Sequence, residues 1–316
     1  MSTPPIIGLT LNYRDPARTS RCIRSLLDDG AHGVVIWDNS EDGGQSAAIL
    51  RAQWQLEPSV NIVESPCNLG FAAGVNQGLR AIAERWPGSW VMLLNNDATV
   101  HSGALRALAS ALAAQPQAVI AYPRVSHGGH AIGTVYYQRH FALLRFDRPW
   151  PGTFPSPGGS ALLVAPERDR EPLFDEEFFM YGEDVFLGWR LGVARMTQVP
   201  QVLVDHEGSA SSGMASAFYE SRLVAGHWLL ARKLARRRLD YLLLHTGRIA
   251  SLSARALLRA LRYRSLRPLW ALGAGWQLAQ GRDPAWKAAR TASHQLKAAR
   301  QDSAAPPAKP SPPAPQ

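Results

Sequence analysis

The feature that most constrains the fold is an alternation of strand-like and helix-like segments over the first 120 residues. The predicted strands are short apolar runs, and the predicted helices between them carry apolar residues three or four positions apart. Strands and helices of these lengths form βαβ units, which build a mostly parallel sheet. The predicted strands span 5–13, 33–38, 59–65, 89–94 and 118–123, and the predicted helices span 16–28, 44–55, 70–86 and 102–115.

The pattern becomes irregular from 124 to 157, where only short strands near 131–137 and 141–146 are predicted. The later predicted elements are a strand over 158–166, a helix that begins near Glu183, a strand that ends at His206, a helix over 216–239 and arginine-containing helices over 241–300. The proline- and alanine-rich C-terminus has too few apolar residues to fold. We expect three parts: an α/β domain over 1–240, a basic helical extension over 241–303 and a disordered tail over 304–316.

Charge is distributed unevenly along the chain. Residues 221–316 contain 18 Lys and Arg against 3 Asp and Glu, a net charge of +15, and the other 16 basic and 22 acidic residues give 1–220 a net charge of −6. A basic segment of this kind suits nucleic acid or an anionic membrane surface. Because it contains no nucleic-acid recognition motif, we expect no nucleic-acid partner.

Targeting and membrane-spanning patterns are missing from the sequence. The start of the chain has no positively charged region followed by a long apolar run. The uncharged stretch 268–281 is too short and too polar to cross a bilayer, which takes about 20 mainly apolar residues. Cys22 and Cys67 are too few for a disulfide framework and are interpreted as reduced thiols. We therefore expect a cytoplasmic protein.

Polar side chains follow three predicted strands at the point where each strand ends. They are Asn12 and Tyr13 after the first strand, Asp38 after the second, and Asn95, Asn96 and Asp97 after the fourth. Ligands of such sheets bind beyond the carboxyl ends of the strands, so we expect a crevice there. Asp97 suits a hard cation such as Mg²⁺ or Mn²⁺, which prefers oxygen ligands. The alternative is an ordinary turn, because Asn and Asp also favour turns and helix caps.

The segment NLGFAAGVNQGL (68–79) has glycines at every fourth position, Gly70, Gly74 and Gly78. This spacing places them on one helical face, where another backbone or a ligand can approach closely. A helix N-terminus behind Asn68 offers free N–H groups and a positive dipole end to a phosphate. Tight helix–sheet packing would explain the glycines equally well, although the polar Asn76 on the same side favours a ligand.

Glu183 and Asp184 follow an aromatic run, FFMYG (178–182). One of them could act as a general base, because an aromatic pocket raises the pKa of a carboxyl group towards neutrality. The alternative is an ordinary first turn of a helix, where acids are favoured by the dipole. His206 ends a strand beside Gly208, a suggestive position, although a lone histidine is more often structural.

Taken in order, these segments resemble the inverting glycosyltransferases of family 2, which have the GT-A fold, and most closely their bacterial rhamnosyltransferase type. The resemblance covers about residues 5–240. The segments that carry it are the first strand with Asn12 and Tyr13, DNSEDG (38–43), NLGFAAGVNQGL (68–79), LLNNDA (93–98), GGSALLV (158–164), FDEEFFMYGEDVFLGWR (174–190) and DHEGS (205–209). It implies an α/β fold with a Rossmann-like, mostly parallel sheet that binds a nucleotide diphosphate sugar.

The resemblance also implies residue roles. Asp184 matches the catalytic base, and Glu183 would orient the base or the acceptor. Asp97 matches the last acid of the DxD-type metal motif, and His206 matches a late histidine of the metal or diphosphate site. The residues implied in donor binding are Asn12, Tyr13, Asp38, Asn68, Gly70, Phe71, Asn76, Asn96, Gly159 and Ser160, and the motif Tyr-x-x-Arg is matched by Tyr219 and Arg222.

Two positions depart from the family pattern. The metal motif reads Asn95-Asn96-Asp97, so its first acid is missing and the metal would depend on one certain carboxylate. Phe186 stands where relatives commonly carry a second acid after the base. The first departure weakens the expected metal site, and the second leaves the assignment of Asp184 unchanged.

The basic extension begins with ARKLARRR (231–238) and continues with arginines among Leu, Ala, Tyr and Trp. These arginines are Arg248, Arg255, Arg259, Arg262, Arg264 and Arg267. Such a helix can lie in a membrane interface, with Leu and Trp towards the lipid and Arg at anionic headgroups. The alternative is an ordinary helical subdomain with a solvated basic face.

The sequence therefore predicts a metal-dependent inverting glycosyltransferase, cytoplasmic and peripheral on the inner face of the plasma membrane. The expected donor is a dTDP- or UDP-sugar, with dTDP-rhamnose as one candidate, and the expected acceptor is a surface glycan or a lipid-linked saccharide. A nucleotide-sugar- or glycan-binding protein that has lost catalysis is the alternative, motivated by the incomplete metal motif. A dinucleotide-dependent dehydrogenase is disfavoured, because the first strand-to-helix turn, NYRDPART (12–19), has no GxGxxG.

Overall fold

A computed structural model describes residues 3–208, 216–282 and 284–304 of the chain. Its strands are β1 (Ile6–Asn12), β2 (Gly33–Asp38), β3 (Val60–Glu64), β4 (Trp90–Leu94), β5 (Ala98–Val100), β6 (Ile120–His127), β7 (His130–Ile132), β8 (Val135–Gln138), β9 (Leu143–Phe146), β10 (Thr153–Ser156), β11 (Ala161–Val164) and β12 (Met196–His206). Its α-helices are α1 (Pro16–Asp28), α2 (Gln45–Trp54), α3 (Gly70–Arg85), α4 (Ala104–Ala114), α5 (Glu183–Leu191), α6 (Ala217–Leu234), α7 (Arg238–Tyr263), α8 (Arg267–Ala279) and α9 (Pro284–Ala304).

The main sheet is mixed, with the strand order β3-β2-β1-β4-β11-β6-β12-β5 and β7 beside β6. β3, β2, β1 and β4 run parallel, as predicted. β11 then runs antiparallel to both of its neighbours, whereas β12 is parallel to β6 and antiparallel to β5. The parallel register places Asn12 opposite Asp38, so the polar strand ends meet at one edge of the sheet.

Each face of this sheet carries its own apolar cluster, because successive side chains of a strand point to opposite faces. In β4, Val91 and Leu93 join the cluster that α3, α5 and α6 cover, and Met92 and Leu94 join the cluster under α1, α2 and α4. All four side chains are almost completely buried. The helices thus close both faces and leave the carboxyl ends of the parallel strands as the open edge.

The structure differs from the predicted elements in four places. The strand predicted near 131–137 is two strands, β7 and β8. Two short strands, β5 and β10, were not predicted, and β10 forms a small sheet with β8 and β9. β6 continues past Pro123 to His127 instead of ending at the proline. The predicted helix over 216–239 is two helices, because the backbone is extended at Ala235 and Arg237.

The C-terminal helices pack onto the α/β domain. α6 lies against α7 and α8. α9 lies against α3, where the amide of Gln77 donates to the carbonyl of the buried Ser293 at 3.2 Å. Among the described helices, none has the length and apolar content required to span a bilayer. The segment 304–316, predicted to be disordered, lies outside the described residues apart from Ala304, where α9 ends.

Candidate active site

Asp97 and His206 form a buried pair at the open edge of the sheet. Nε2 of His206 donates to Oδ1 of Asp97 at 2.9 Å, and the two side chains are 10% and 8% exposed. The pairing of β12 with β5 brings them together, because it sets His206 opposite Ala98, next to Asp97. The structure therefore joins the two residues that the resemblance assigned to the metal, although they lie far apart in the sequence.

A third residue, His127, extends this pair and was not predicted. Its Nε2 lies 3.2 Å from Nδ1 of His206, and the two rings meet edge to face with centroids 4.5 Å apart. Burial, and next the proximity of His206, lower the pKa of His127, so its neutral form is favoured. His127 ends β6, a strand that appeared to end at Pro123 in the sequence, which is why this contact was missed.

The residues present fit a divalent cation at Asp97 and His206. The 2.9 Å between their facing atoms matches the spacing of two adjacent ligands around an octahedral ion with bonds of about 2.1 Å. Oδ1 of Asn95 is a buried oxygen without a hydrogen-bond partner among the described residues, and Nδ2 of the same side chain lies 3.4 Å from the imidazole of His206. Within the described residues, no cluster of three or more His, Cys, Asp or Glu forms a closed metal cage. A cation here would therefore complete its shell with the phosphates of a substrate, as Mg²⁺ often does.

Asn12 and Asp38 form a buried hydrogen-bonded network behind the strand ends. The amide of Asn12 donates to Asp38 at 2.8 Å and to the hydroxyl of Ser40 at 2.9 Å. Thr19 donates to Oδ1 of Asn12 at 2.7 Å and accepts from Nδ2 of Asn96 at 3.2 Å. The network links the first, second and fourth strand ends. Asp38 is 2% exposed, and its role in donor binding, which the resemblance implies, stays a prediction.

Tyr13 borders this network from outside. Its ring is 36% exposed, and the guanidinium of Arg14 lies 5.3 Å from the ring centroid. The backbone N–H of Arg14 donates to the Ser40 hydroxyl at 2.8 Å, which ties the loop after β1 to the loop after β2. An exposed aromatic ring held at this edge is suitable for stacking on a nucleotide base.

The start of α3 is a tight turn that packs against the segment before α5. Oδ1 of Asn68 accepts from the backbone N–H of Gly70 at 2.9 Å. Gly70 has φ +77, and a Cβ there would lie 2.4 Å from the carbonyl oxygen of Phe179. The N–H of Phe71 donates to that same carbonyl at 2.7 Å. This N–H at the start of α3 therefore already has a hydrogen-bond partner within the protein.

The other members of this segment have packing roles. A Cβ at Gly74 or Gly78 would meet the side chains of Leu11 or Leu9 at 2.8 and 2.4 Å, which supports the helix–sheet packing alternative. The amide of Asn76 donates to the carbonyl of Phe174 at 2.8 Å and accepts from its N–H at 3.2 Å. These contacts give Asn76 a structural role, and they do not support the ligand contact that its polarity favoured.

Asp184 sits in the first turn of α5 and faces Gly159, which lies in the turn before β11. Its two carboxylate oxygens accept from the backbone N–H groups of Gly159 at 3.1 Å and of Val185 at 2.8 Å. Burial raises the pKa of Asp184, and these two N–H groups oppose the rise because they stabilise the charged form. Asp184 thus has the raised basicity that a general base requires, and two N–H donors that stabilise its charged form.

Glu183 differs from its neighbour although both are acids of the same turn. It is 6% exposed, and its Oε2 has no hydrogen-bond partner among the described residues. Burial, and next the charge of Asp184, raise the pKa of Glu183 to about 8. The protonated form of Glu183 is therefore favoured at neutral pH.

This assignment predicts the pH dependence of stability. The pKa of Glu183 in the folded protein, about 8, exceeds its ordinary value of 4.5, so the protonated form stabilises the fold fully below about pH 4.5 and this contribution is lost as the pH rises towards 8. We expect the melting temperature of the wild type to fall by roughly 5 °C more than that of Glu183→Gln between about pH 5 and pH 7. Scanning calorimetry of both proteins measures this, and parallel curves would contradict the assignment.

The dipeptide Gly159-Ser160 links the end of β4 to Asp184. The N–H of Asn95 donates to the carbonyl of Ser160 at 2.9 Å, and the N–H of Gly159 binds Asp184. The antiparallel pairing of β11 with β4 creates this link, because it sets Ala161 opposite Leu94. Gly159 and Ser160 therefore lie between the two acids to which the resemblance gave the main chemical roles.

A cavity of about 410 Å³ opens beside Asn96, Asp97 and His206. Its far wall carries Arg18 and Arg21 of α1, which the sequence reading did not single out. Both arginines bind Glu207, at 2.7 and 2.9 Å. Cationic side chains near an acid–histidine pair suit a substrate that carries phosphate groups. Asp184 does not line this cavity.

Tyr219 and Arg222 lie on α6, behind the segment that contains Phe179. The guanidinium of Arg222 lies 4.3 Å from the ring centroid of Phe179 and 5.3 Å from that of Phe218. The ring of Tyr219 meets that of Tyr181 edge to face, with centroids 5.3 Å apart. These contacts hold α6 against the loop that leads to Glu183 and Asp184.

The sequence of the chain matches a known protein family. Residues 9–169, just over half of the chain, match the family described as "Glycosyl transferase family 2". The chain belongs to this family. This confirms the family inferred from the motifs, and it makes the protein a glycosyltransferase.

Two curated relatives are N-acetylglucosaminyl-diphospho-decaprenol L-rhamnosyltransferases of Mycobacterium tuberculosis, strains CDC 1551 and H37Rv. Each is 28% identical to this chain over 256 residues, which are 71% of the chain and 81% of the relative. The resemblance to the rhamnosyltransferase type is confirmed by these matches.

Solved structures confirm the GT-A fold. S. aureus TarS 1-349 superposes with a TM-score of 0.52 at 12% identity, covering 94% of this chain and 91% of that one. GalNAc-T7, crystallised with UDP, GalNAc and Mn²⁺, superposes with a TM-score of 0.55 at 11% identity, covering 71% of this chain. The chain spans about half, 48%, of the length of GalNAc-T7.

Proposed function

We propose that this family 2 glycosyltransferase is metal-dependent and inverting, and that it transfers rhamnose from dTDP-rhamnose to a hydroxyl group of a lipid-linked saccharide at the inner face of the plasma membrane. The observation that carries the proposal is the division of labour between two acidic positions. Asp97 pairs with His206 on one side of Ser160, and Asp184 lies on the other side, bound to the backbone N–H of Gly159. The first position is suited to a diphosphate and the second to proton removal.

The reaction follows from these positions. A carboxylate oxygen of Asp184 takes the proton of the acceptor hydroxyl while the hydroxyl oxygen attacks the anomeric carbon of the donor sugar. The bond from that carbon to the diphosphate oxygen breaks in the same step, and its electron pair leaves with the nucleoside diphosphate. A single displacement of this kind inverts the anomeric carbon. Glu183, protonated at neutral pH, adds no second charge to the base site.

The leaving group needs charge stabilisation, because it departs as a diphosphate. A divalent cation held by Asp97 and His206 would neutralise part of that developing charge. Arg18 and Arg21 line the same cavity, where the guanidinium groups of both are bound to Glu207. The Mn²⁺ and UDP present with the structurally similar GalNAc-T7 support a donor of this chemical class.

The donor sugar and the acceptor are inferred from the curated relatives. Their name states an L-rhamnosyl transfer to N-acetylglucosaminyl-diphospho-decaprenol, a sugar carried on a lipid diphosphate. The basic segment over 221–316 supports a membrane-bound acceptor, because anionic lipid headgroups attract positive charge. We therefore place the protein at the cytoplasmic surface of the membrane, where it would meet both the nucleotide sugar and the lipid carrier.

Donor binding tests the proposal directly. We expect dTDP-rhamnose with Mn²⁺ to raise the melting temperature by several degrees, and UDP-N-acetylglucosamine to raise it less. Scanning fluorimetry with each donor, with and without metal, gives this comparison, and product analysis with a synthetic lipid-diphosphate saccharide gives the anomeric configuration. Stabilisation by UDP-sugars alone would show that the donor is a UDP-sugar instead of dTDP-rhamnose. Retention of the anomeric configuration would contradict the role of Asp184 as the base of a single displacement.

A catalytically impaired binding protein is the second candidate. The feature that favours it is the metal motif, in which Asp97 is preceded by Asn95 and Asn96 instead of another acid. It predicts stabilisation by the donor without turnover for any acceptor tested. Measurable transfer or donor hydrolysis by the purified protein would exclude it.

A further inference from the structure

Helix α7 turns three arginines towards the protein beside buried apolar side chains such as Leu244 and Leu252, and it carries further apolar side chains on its outward face. Arg248 is fully buried, and it donates to the carbonyls of His227 and Leu244 at 2.8 and 3.1 Å. Its remaining amino group lies 3.4 Å from the hydroxyl of Tyr137. This arginine therefore anchors the helix and is not available to a headgroup, contrary to the sequence prediction.

The next two inward arginines behave in the same way. Arg255 lies 2.7 Å from Nε2 of His227 and donates to the carbonyl of Ala142 at 2.8 Å. Arg259 donates to both carboxylate oxygens of Glu220 at 3.0 Å. Charged groups thus help to hold the inner face of α7 against α6 and against the loop after β8, beside the buried Leu244 and Leu252.

The outward face of α7 is an uncharged stripe that runs along the whole helix. Its side chains recur at intervals of three, four and seven residues, the spacing of one helical face. The large apolar side chains of this face that are more than half exposed are Leu239, Leu242, Leu243, Ile249, Leu257, Leu258 and Leu261. The exposed stripe continues past the end of α7 with Leu266 and Trp270, which are 76% and 59% exposed. We call the seven side chains of α7 the apolar stripe.

Both ends of the apolar stripe are basic. The exposed arginines are Arg236, Arg237 and Arg238 before it and Arg262, Arg264 and Arg267 after it. The acid nearest to the first group, Asp240, is already bound by the guanidinium of Arg139 and the backbone N–H of Arg236. Asp240 therefore does not neutralise the guanidinium groups of the arginines that precede the stripe.

We propose that the apolar stripe of α7, with the arginines at its two ends, is a docking surface for an anionic lipid bilayer. A helix of 26 residues is about 39 Å long, and it would lie in the plane of the interface with its leucines in the acyl boundary and its end arginines at the headgroups. The surface lies on α7 itself, so the inference goes beyond the proposed reaction and does not depend on it.

Charge distinguishes the bilayer from two other occupants of this face. A second copy of the chain packed stripe against stripe would set basic ends against basic ends in the parallel as well as in the antiparallel orientation. The segment 305–316 of this chain contains one lysine and no acid, so it cannot complement the arginines either. An anionic lipid surface complements both the leucines and the arginines.

Vesicle flotation of the full-length protein tests the proposal. We expect co-flotation with vesicles of phosphatidylcholine and phosphatidylglycerol at low salt, and a several-fold smaller bound fraction with pure phosphatidylcholine or at high salt. The variant Leu242→Gln/Ile249→Gln/Leu257→Gln is expected to bind at least about tenfold more weakly, because it removes apolar side chains from the acyl boundary. The variant Arg238→Gln/Arg262→Gln/Arg267→Gln is expected to lose the preference for phosphatidylglycerol.

Matched control variants show whether a loss of vesicle binding is specific to α7 or follows from the removal of any exposed apolar or arginine side chains. The triple variant Ile49→Gln/Leu56→Gln/Val193→Gln removes three exposed apolar side chains elsewhere, and Arg106→Gln/Arg148→Gln/Arg170→Gln removes three exposed arginines elsewhere. Both controls should float as the wild type does, and every variant should keep its donor-induced thermal shift, which shows that the fold is intact.

Three outcomes would overturn the proposal. They are wild-type protein that does not float with anionic vesicles, flotation of the leucine variant equal to that of the wild type, and a wild-type dimer in light scattering that the leucine variant converts to a monomer. The last outcome would assign the stripe to a second copy of the chain. Loss of donor turnover with flotation intact would affect only the proposed reaction.

Discussion

Replacement of Asp184 by Asn is expected to lower kcat for sugar transfer by about 10²- to 10⁴-fold, the range for loss of a general base. The amide has almost the shape of the carboxylate but cannot accept the acceptor's proton. It also places an amino group opposite one of two N–H donors, those of Gly159 and Val185. The donor-induced thermal shift with Mn²⁺ should survive, because Asp184 lies outside the cavity beside Asp97.

The measurement is single-turnover transfer to a lipid-linked acceptor over a range of pH. In the wild type the rate should fall on the acidic side as Asp184 becomes protonated, and this limb should be absent from the residual rate of Asp184→Asn. The exposed Asp28 at the end of α1 supplies a matched control, and Asp28→Asn should keep the wild-type rate. A wild-type rate in Asp184→Asn, with the fold retained, would show that another group takes the proton.

The parallel half of the fold was predictable because its signals are local. Each of β1, β2, β3 and β4 is an apolar run bounded by helix signals, and the parallel register follows from their connections. The same local pattern located Asn12, Asp38 and Asp97 at the strand ends, and the structure links the first two directly. A strand end is visible in a sequence because it is the place where burial stops.

The other half of the site depends on pairings that have no local signature. The apolar run of β11 predicts a strand, yet nothing in it indicates an antiparallel insertion between β4 and β6. That insertion is what brings Gly159 to Asp184 and Ser160 to Asn95. The contact of His127 with His206 arises in the same way, from the pairing of β6 with β12. The order of strands in the sheet has no local signature in the sequence.

The direction in which a side chain points was the other unpredictable quantity. In α3 the sequence placed Asn76 on the glycine face, which favoured a contact with a ligand. In the structure the amide of Asn76 instead bonds the backbone of Phe174. In α7 the mixture of Leu and Arg predicted an amphipathic helix, but which side faces the protein was decided by distant partners. Glu220 binds Arg259, and the backbone of His227 receives Arg248. Periodicity identifies the two faces of a helix and leaves their orientation to tertiary contacts.

The second large effect concerns Asp97. We expect Asp97→Ala to lower kcat/KM by about 10²- to 10³-fold, the size of effect found when one group that stabilises developing charge is removed. Asp97 is the single carboxylate of the motif, so no other acid of LLNNDA can replace it. The increase in donor affinity on addition of Mn²⁺ should disappear with it, and chelation of metal should inhibit the wild type while leaving the residual rate of the variant unchanged.

Calorimetric titration separates this role from a structural one. A nucleoside monophosphate lacks the diphosphate, so its affinity should be equal in Asp97→Ala and the wild type, whereas the affinity for the diphosphate sugar should fall in the variant alone. Because Asp97 also accepts a hydrogen bond from His206, the isosteric Asp97→Asn is needed as a second variant. It keeps a hydrogen-bond acceptor and loses the charge, and it should share the metal defect with a smaller loss of stability. The exposed Glu171 provides the control Glu171→Ala, which should retain the response to Mn²⁺. If Asp97→Asn responded to Mn²⁺ as the wild type does, the cation would have to be bound by other residues, and the diphosphate would lie away from the end of β4.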